Sequence, residues 1–300
     1  MSSNDDRDEQ KLIEEIAKRV LSQFVEQGAS LEAVNESQVR EALEIYLRNP
    51  RNPKALERIV ESTPSRLGVG RTGTRYLTPV ALRLRADHAI AKDAVYSEVP
   101  EAFVQQMQSV PLRTKAKDRE RYLLHPEDGR ALHPESRALA EREGTRGADV
   151  QIILGDGLSA WALTLNAAEL VPAIERELAS RGIRTGKRLF VRFARIAVAD
   201  EIGVALDAKA TIILVGERPG LGTGDSLSAY IAYAPKLGQD NAEKNCVSNI
   251  RPLGLPALEA AKEIATIVAR AFQLGKGGVA AAASVRTFDE RPKRWAGRSR

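Results

Sequence analysis

The sequence contains one cysteine, Cys246, among 300 residues, so no disulfide can form within the chain. A disulfide-stabilised secreted fold is excluded, and a reducing compartment is indicated. Aromatic residues make up only 5% of the chain, so aliphatic side chains must fill the interior. No apolar run reaches the roughly 20 residues that span a bilayer. The acidic start MSSNDDRDEQ also lacks the apolar core of a secretory signal. These absences predict a cytoplasmic protein without a membrane partner.

An excess of one charge is absent from most of the chain. The formal net charge is +5, and the last ten residues, RPKRWAGRSR, contain five Lys or Arg residues and no acidic residue. The remainder is therefore formally neutral. A neutral body offers no built-in track for phosphates. We predict no nucleic-acid partner and interpret the basic end as a solvated tail.

Groups that perform catalysis are also scarce. The three histidines are His88, His125 and His133, and none has metal-ligand spacing with another His or with the cysteine. Asp87 and His88 are neighbours on a predicted helix, where adjacent side chains diverge, so they form no catalytic dyad. Cys246 has no evident His partner, and a buried structural thiol is its default interpretation. The chain lacks the G-x-S-x-G motif, and the run GERPGLG (216–222) matches neither G-x-G-x-x-G nor the phosphate-loop motif. We therefore predict no catalytic residue and no metal site on this chain.

Amphipathic helices are predicted before the main domain. Apolar residues recur at helical spacing over 11–25 and again over 37–48. Residues 1–60 are interpreted as a helical, flexible N-terminal extension. Its first helix is expected either to dock on the protein itself or a subunit, or to act as a targeting helix against a protein shell. Thr78-Pro79 then begins a predicted helix that runs to about Val95, whereas residues 98–124 carry no clear pattern.

From residue 149 onward, strand and helix patterns alternate, which predicts a parallel sheet with crossover helices. We predict one α/β, Rossmann-like domain over 61–275, followed by a disordered basic tail over 276–300. The Gly/Ala-rich composition and the basic end suggest the disorder. Strands are predicted over 149–155, 187–198, 210–217 and 227–234, and helices over 166–182, 200–207 and 255–275.

Three segments are expected beyond the carboxyl ends of strands, where α/β sheets bind ligands. They are 155–159, GDGLS; 216–222, GERPGLG; and 246–250, CVSNI. Glycines let a ligand approach the backbone closely, and the Glu, Ser and Asn side chains offer partners for amides. The alternative is that these turns serve only tight chain reversal. On residue types alone, the domain is a binding module rather than a self-sufficient enzyme.

Eight stretches in this order resemble the small (light) subunit of ethanolamine ammonia-lyase, and they cover about 62–275. The stretches are STPSRLGVGRTGTRYLT (62–78), LRADHAIAKDAV (84–95), SEVPE (97–101), YLLHPEDGRAL (122–132), DVQIILGDGLSA (149–160), LFVRFARIAVADEIG (189–203), ATIILVGERPGLGTGDSLSAYIAYAPK (210–236) and NCVSNIRPLGLP (245–256).

The resemblance implies a non-autonomous enzyme subunit, a carbon–nitrogen lyase of ethanolamine degradation. The expected partner is a large subunit, a TIM barrel that holds ethanolamine, with which this chain forms a hetero-oligomer. Adenosylcobalamin is expected between the two subunits, with this chain over the barrel mouth. Radical chemistry then yields acetaldehyde and ammonia. The chain lacks the D-x-H-x-x-G pattern that supplies an axial His, so a base-on cofactor is expected. Packaging in a bacterial microcompartment is left open.

Three positions match the family's cobalamin contacts. Ile196 takes a position usually held by Val, whereas Glu217 and Cys246 match directly. The resemblance thereby favours a cofactor-wall role for the lone thiol. Two Arg residues and one Asp are further candidates for lining the site, namely Arg195, Arg218 and Asp156.

The sequence leaves two functions of different classes open. The first is the obligate cobalamin-binding subunit. The second is a stand-alone carrier that binds a nucleotide-like ligand in its α/β crevice. The missing catalytic groups and the elaborate crevice favour the first.

Overall fold

The computed structural model describes Leu47 and residues 49–63 and 65–283. The helices predicted over 11–25 and 37–48 lie outside these residues, apart from Leu47. The basic residues after 283 lie outside them too.

The described chain divides into two compact units. The first contains the described residues up to Ala94 together with Pro219–Gly224, and the second contains Val95–Arg218 and the described residues from Asp225 onward. The domain predicted over 61–275 therefore includes parts of both units.

In its described part, the first unit contains helix α1, Pro53–Glu61. Asn52 caps it by accepting a hydrogen bond from the Ala55 N–H at 3.0 Å. A two-strand hairpin follows, formed by β1, Arg71–Thr72, and β2, Arg75–Tyr76. Helix α2, Thr78–Tyr96, then begins at Thr78-Pro79, which confirms the predicted helix.

A buried carboxylate organises this unit. Asp87, in α2, forms ion pairs with Arg66 at 2.5 Å and with Arg83 at 3.1 Å. Its carbonyl accepts a hydrogen bond from the N–H of Gly222, which has a φ of +76°. The Leu221 carbonyl accepts from the Arg66 guanidinium at 3.3 Å. Segment 219–224 is therefore held by Asp87 and Arg66.

The second unit is built on a six-stranded sheet with the order β3-β5-β4-β6-β7-β8. The first four of these strands run parallel, whereas β7 is antiparallel to β6 and β8 is antiparallel to β7. The α/β class is confirmed, and the Rossmann-like label stays a prediction. The strands are β3, Val110–Arg113; β4, Val150–Gly155; β5, Leu189–Arg192; β6, Ala210–Gly216; β7, Leu227–Tyr233; and β8, Lys244–Ile250.

The predicted parallel sheet is confirmed for four strands and wrong for β7 and β8, because the last two connections carry no crossover. Parallel neighbours need a connection of about a dozen residues or more, usually with a helix, whereas antiparallel neighbours can return directly. Residues 217–226 and 234–243 are too short for such a crossover. The chain therefore reverses twice and adds β7 and β8 antiparallel to the sheet.

Helices cover both faces of this sheet. Strands β4 and β6 are buried along their whole length, as their unbroken apolar sequences predict. Their alternate residues Ile152 and Ile212 join a core with the long helices α6 and α8. On the opposite face, Ile153 and Ile213 join a second core with α5 and α7. The helices are α3, Glu101–Gln106; α4, Arg119–Leu124; α5, Pro134–Glu143; α6, Ala160–Ala179; α7, Val198–Ala205; α8, Ala257–Leu274; and α9, Gly278–Ala283.

Three local predictions need correction. The strand predicted over 187–198 ends at Arg192, because Phe193 turns the chain with a φ of +59° and α7 begins at Val198. Segment 246–250 does not lie beyond the end of a strand but forms the last five residues of the edge strand β8. Disorder was predicted from residue 276, yet Gly278–Ala283 form α9, which packs beside β8. The Gly278 N–H donates to Asn245 Oδ1 at 2.8 Å and ties this helix to the strand.

Candidate functional site

Glu217 extends from the carboxyl end of β6 and is fixed by strands β7 and β8. Its N–H donates to the Ser226 carbonyl at 3.0 Å, which prolongs the β6–β7 ladder by one pair. Its carboxylate oxygen Oε1 accepts from the Ser228 hydroxyl at 2.6 Å and from the Asn249 N–H at 3.0 Å. Both donors reach the same oxygen. Within the described part of the chain, no hydrogen bond or ion pair is formed by Oε2, so this oxygen is available to accept one.

Cys246 lies beside this carboxylate on strand β8. It is the cross-strand partner of Tyr230, and such partners lie on one face of a sheet. The residue is exposed. Partial withdrawal of the sulfur from water is the main cause that raises the pKa of the Cys246 thiol. Interactions with the side chains of Tyr230 and Ser228 lower it, and the negative charge of Glu217 raises it further. The thiol therefore stays protonated at neutral pH.

Tyr230 is half-buried between Cys246 and the second core. Burial is the largest cause that raises the pKa of its phenol to about 12, and Cys246 and Glu217 add to the effect. At neutral pH the phenol therefore keeps its proton and can donate a hydrogen bond.

Ile196 lies on the same side of the sheet. It occupies the turn between β5 and α7 and packs against the second core, which includes Val215. Ser228 is the cross-strand partner of Val215, so the hydroxyl and the carboxylate it binds share that side too. The structure thus joins Glu217 and Cys246 through Ser228 and Tyr230. It places Ile196 on the same face, against the core that Tyr230 also contacts.

The further candidates for lining the site, Asp156, Arg195 and Arg218, make other contacts. Asp156 is fully buried and pairs with Arg119 at 2.7 Å and Arg192 at 3.2 Å. Arg195 lies over the Tyr122 ring at 4.3 Å and donates to the Tyr122 carbonyl at 3.1 Å. These two candidates are used to hold the fold together. Arg218, by contrast, is exposed at the surface.

Sequence reasoning missed Ser228 and Tyr230, although the sequence carried a signal. In LSAYIAY, the small and apolar residues Ala229 and Ile231 alternate with Ser228 and Tyr230. Alternation of this kind places the two polar side chains on one face of a strand. The sequence predicts a strand here, but it does not indicate that the polar face of this strand lies next to Glu217.

The arrangement is suited to binding rather than to acid–base or covalent catalysis. It combines a carboxylate acceptor, a phenol and a protonated thiol, all of which can hydrogen-bond to amides, with a buried hydroxyl that holds the carboxylate. The three histidines lie elsewhere: His88 is on α2, His125 pairs with Glu127 and His133 pairs with Glu135. In the described ranges, no three His, Cys, Asp or Glu side chains group as metal ligands.

Alkylation of the single cysteine tests the environment of its thiol. We expect iodoacetamide at mildly alkaline pH to modify Cys246 at least about threefold more slowly than a cysteine in a short peptide, because a raised pKa leaves less thiolate. In Tyr230→Phe the rate should fall further, since the phenol hydrogen bond lowers this pKa. Mass spectrometry of the modified chain gives the rates. A rate equal to or above that of the peptide would contradict the described environment.

None of the helices that the structure describes is long and apolar enough to cross a membrane.

Comparison with known proteins agrees with the resemblance found in the sequence. A sequence model of the ethanolamine ammonia-lyase light chain matches residues 53–281. The ethanolamine ammonia-lyase small subunit of Clostridium perfringens is 38% identical over 259 residues, which are 86% of this chain and 86% of that protein. The small subunit of Clostridioides difficile is 38% identical over 257 residues, which are 86% and 87% of the two chains.

A third relative is more similar over a shorter stretch. The ethanolamine ammonia-lyase small subunit of Clostridium acetobutylicum is 43% identical over 217 residues, which are 72% of this chain and 90% of that protein. All three alignments and the family match include most of the described residues. The chain therefore belongs to the ethanolamine ammonia-lyase light chain family.

Proposed function

We propose that this chain, as a small subunit of ethanolamine ammonia-lyase, forms one wall of an adenosylcobalamin site whose opposite wall belongs to the large subunit. The large subunit is a TIM barrel that holds ethanolamine, and this chain covers the barrel mouth. Together, in a hetero-oligomer, they convert ethanolamine to acetaldehyde and ammonia. The observation that carries the proposal is Glu217, whose carboxylate is held by two strands with one oxygen available.

The residues on this face fit the cofactor chemically. The corrin side chains of cobalamin end in primary amides, which are hydrogen-bond donors and acceptors. Glu217 Oε2 accepts from an amide N–H, and the phenol oxygen of Tyr230, whose proton is directed at Cys246, can accept from another. Ile196 offers an apolar contact, and Cys246 presents a neutral thiol at the surface. When bound, adenosylcobalamin supplies the radical that starts the reaction.

The proposal also includes the ligand of the cobalt and the location of the complex. No histidine lies among the residues that form this face, so this chain offers no imidazole to replace the cofactor's own benzimidazole. A base-on cofactor is therefore proposed. The complex is placed in the cytoplasm, with packaging in a bacterial microcompartment as the alternative location.

Substitution of Glu217 tests the cofactor wall. In the reconstituted complex, Glu217→Ala should raise the KM for adenosylcobalamin about tenfold or more, because a hydrogen bond to a charged group is worth about 1.5–3 kcal/mol. The KM for ethanolamine should stay unchanged, since the substrate lies in the other subunit. Acetaldehyde formation at varied cofactor and substrate concentrations gives both constants.

Glu243→Ala is the matched control. Glu243 is another carboxylate of the same unit, and it pairs with Lys236 at the surface. Its loss should change neither constant. Omitting either subunit should abolish acetaldehyde formation, and activity of this chain alone would favour the stand-alone alternative. Equal changes in both KM values of Glu217→Ala would count against the proposed wall.

A further inference from the structure

Ser228 is the side chain that binds most directly to the candidate cofactor residue Glu217. Ser228 is 1% exposed, and its hydroxyl donates to Glu217 Oε1 at 2.6 Å. A buried hydroxyl is favourable only when it is hydrogen-bonded. In strand β7 the carboxylate of Glu217 satisfies this requirement.

The second donor to the same oxygen is a backbone group. Asn249 has a φ of +56°, and its N–H reaches Glu217 Oε1 at 3.0 Å. This donor belongs to the backbone and not to the Asn249 side chain. Ser228 is therefore the only side chain in the described ranges that donates to the Glu217 carboxylate. Ser228 and the backbone of β8 together hold Oε1 in place.

Fixing Oε1 determines what Oε2 can do. A Glu side chain on its own samples many rotamers, and ordering it on binding lowers affinity. Here the rotamer is set before a ligand arrives, and only Oε2 is left to accept a hydrogen bond.

We propose that Ser228 is a positioning residue: its hydroxyl orients Glu217 so that Oε2 faces the amide side chains of cobalamin. This inference rests on the proposed function. Ser228 itself need not touch the cofactor. Its effect passes through Glu217, which separates this role from that of a wall residue.

Binding of cyanocobalamin to the reconstituted two-subunit complex, measured by equilibrium dialysis, tests the proposal without turnover. Ser228→Ala should raise the Kd about three- to tenfold, as expected for the loss of one hydrogen bond. In the Glu217→Ala background, the same substitution should leave the Kd unchanged, because the group it positions is absent. Ser228→Thr keeps the hydroxyl and should bind within about twofold of the wild type.

Ser180→Ala is the matched control. Its hydroxyl also donates one hydrogen bond, to the Glu177 carbonyl at 2.8 Å where α6 ends. This variant should leave the Kd unchanged and so measures the effect of losing a hydroxyl elsewhere.

The outcomes separate the two proposals. If Glu217→Ala binds cyanocobalamin like the wild type, the proposed cofactor wall fails. If Glu217→Ala weakens binding but Ser228→Ala does not, only the positioning role of Ser228 is overturned. The same conclusion follows if Ser228→Ala has an equal effect in both backgrounds, or if Ser228→Thr behaves like Ser228→Ala.

Discussion

Replacing Lys244 by methionine is expected to lower the free energy of unfolding by about 3–5 kcal/mol, as when one partner of a buried ion pair is removed. Lys244, in β8, binds Asp200, in α7, at 2.7 Å, and the two side chains are only 3% and 2% exposed. The other carboxylate oxygen, Oδ1, has no hydrogen-bond partner among the described residues. Without Lys244, the buried carboxylate has no compensating charge.

The size of this loss should depend on pH. Burial raises the pKa of Asp200, although Lys244 opposes the shift. An acid with a raised pKa in the folded state binds its proton more tightly there than in the unfolded state, so stability falls as pH rises through the interval between the two values. Removing Lys244 widens that interval. The deficit of Lys244→Met should therefore be larger at neutral pH than near pH 4.

Urea unfolding of three variants checks this expectation. Lys236→Met removes a lysine from an exposed pair with Glu243 and should cost less than about 1 kcal/mol. The double variant Asp200→Leu with Lys244→Met should recover most of the lost stability, because replacing both ions of a buried pair by apolar groups is often neutral. A small loss in Lys244→Met alone would show that the pair is not buried as described.

Asp156→Ala is expected to have a similar effect, about 3–5 kcal/mol, for a related reason. The carboxylate binds Arg119 and Arg192 and accepts from the Val99 N–H at 3.3 Å. The Arg119 side chain is only 6% exposed. It also donates to the carbonyls of Gly157 and Ser97, but no other carboxylate in the described residues pairs with it.

This variant separates a structural role from a binding role. If Asp156 lined the cofactor site, its replacement would weaken cobalamin binding and leave the unfolding midpoint unchanged. We expect a different result, namely a large loss of stability, measured by thermal and urea unfolding. Glu101→Ala is the control, because Glu101 is an exposed partner of Arg192 and its loss should cost less than about 1 kcal/mol. An unchanged stability of Asp156→Ala would restore it as a site residue.

The sequence predicted helices and strands best where apolar runs and capping residues indicate the same element. The buried strands β4 and β6 follow from unbroken aliphatic stretches, and α2 begins at the Thr78-Pro79 signal. Helix α8 ends at Leu274, and the next residue, Gly275, takes the left-handed conformation for which glycine is favoured at a helix end. In each case a local preference and tertiary burial favour the same structure.

The sequence failed where structure depends on distant partners. Strand β8 reads KNCVSNI, a largely polar stretch that forms a strand because β7 supplies its hydrogen bonds. Lys244 and Asp200 are 44 positions apart in the chain, and no sequence spacing indicates that they pair. The contact of Ser228 with Glu217 likewise depends on the antiparallel return of β7, which a parallel sheet would not have produced.

The short helix α9 has a consequence for how the protein behaves in concentrated solution. An edge strand exposes backbone groups to which a second molecule can add a strand, the first step toward aggregation. The N–H of Gly278 is bound to Asn245 near the start of β8, and α9 packs beside that strand. We therefore expect the last described helix to hinder strand addition near the start of β8.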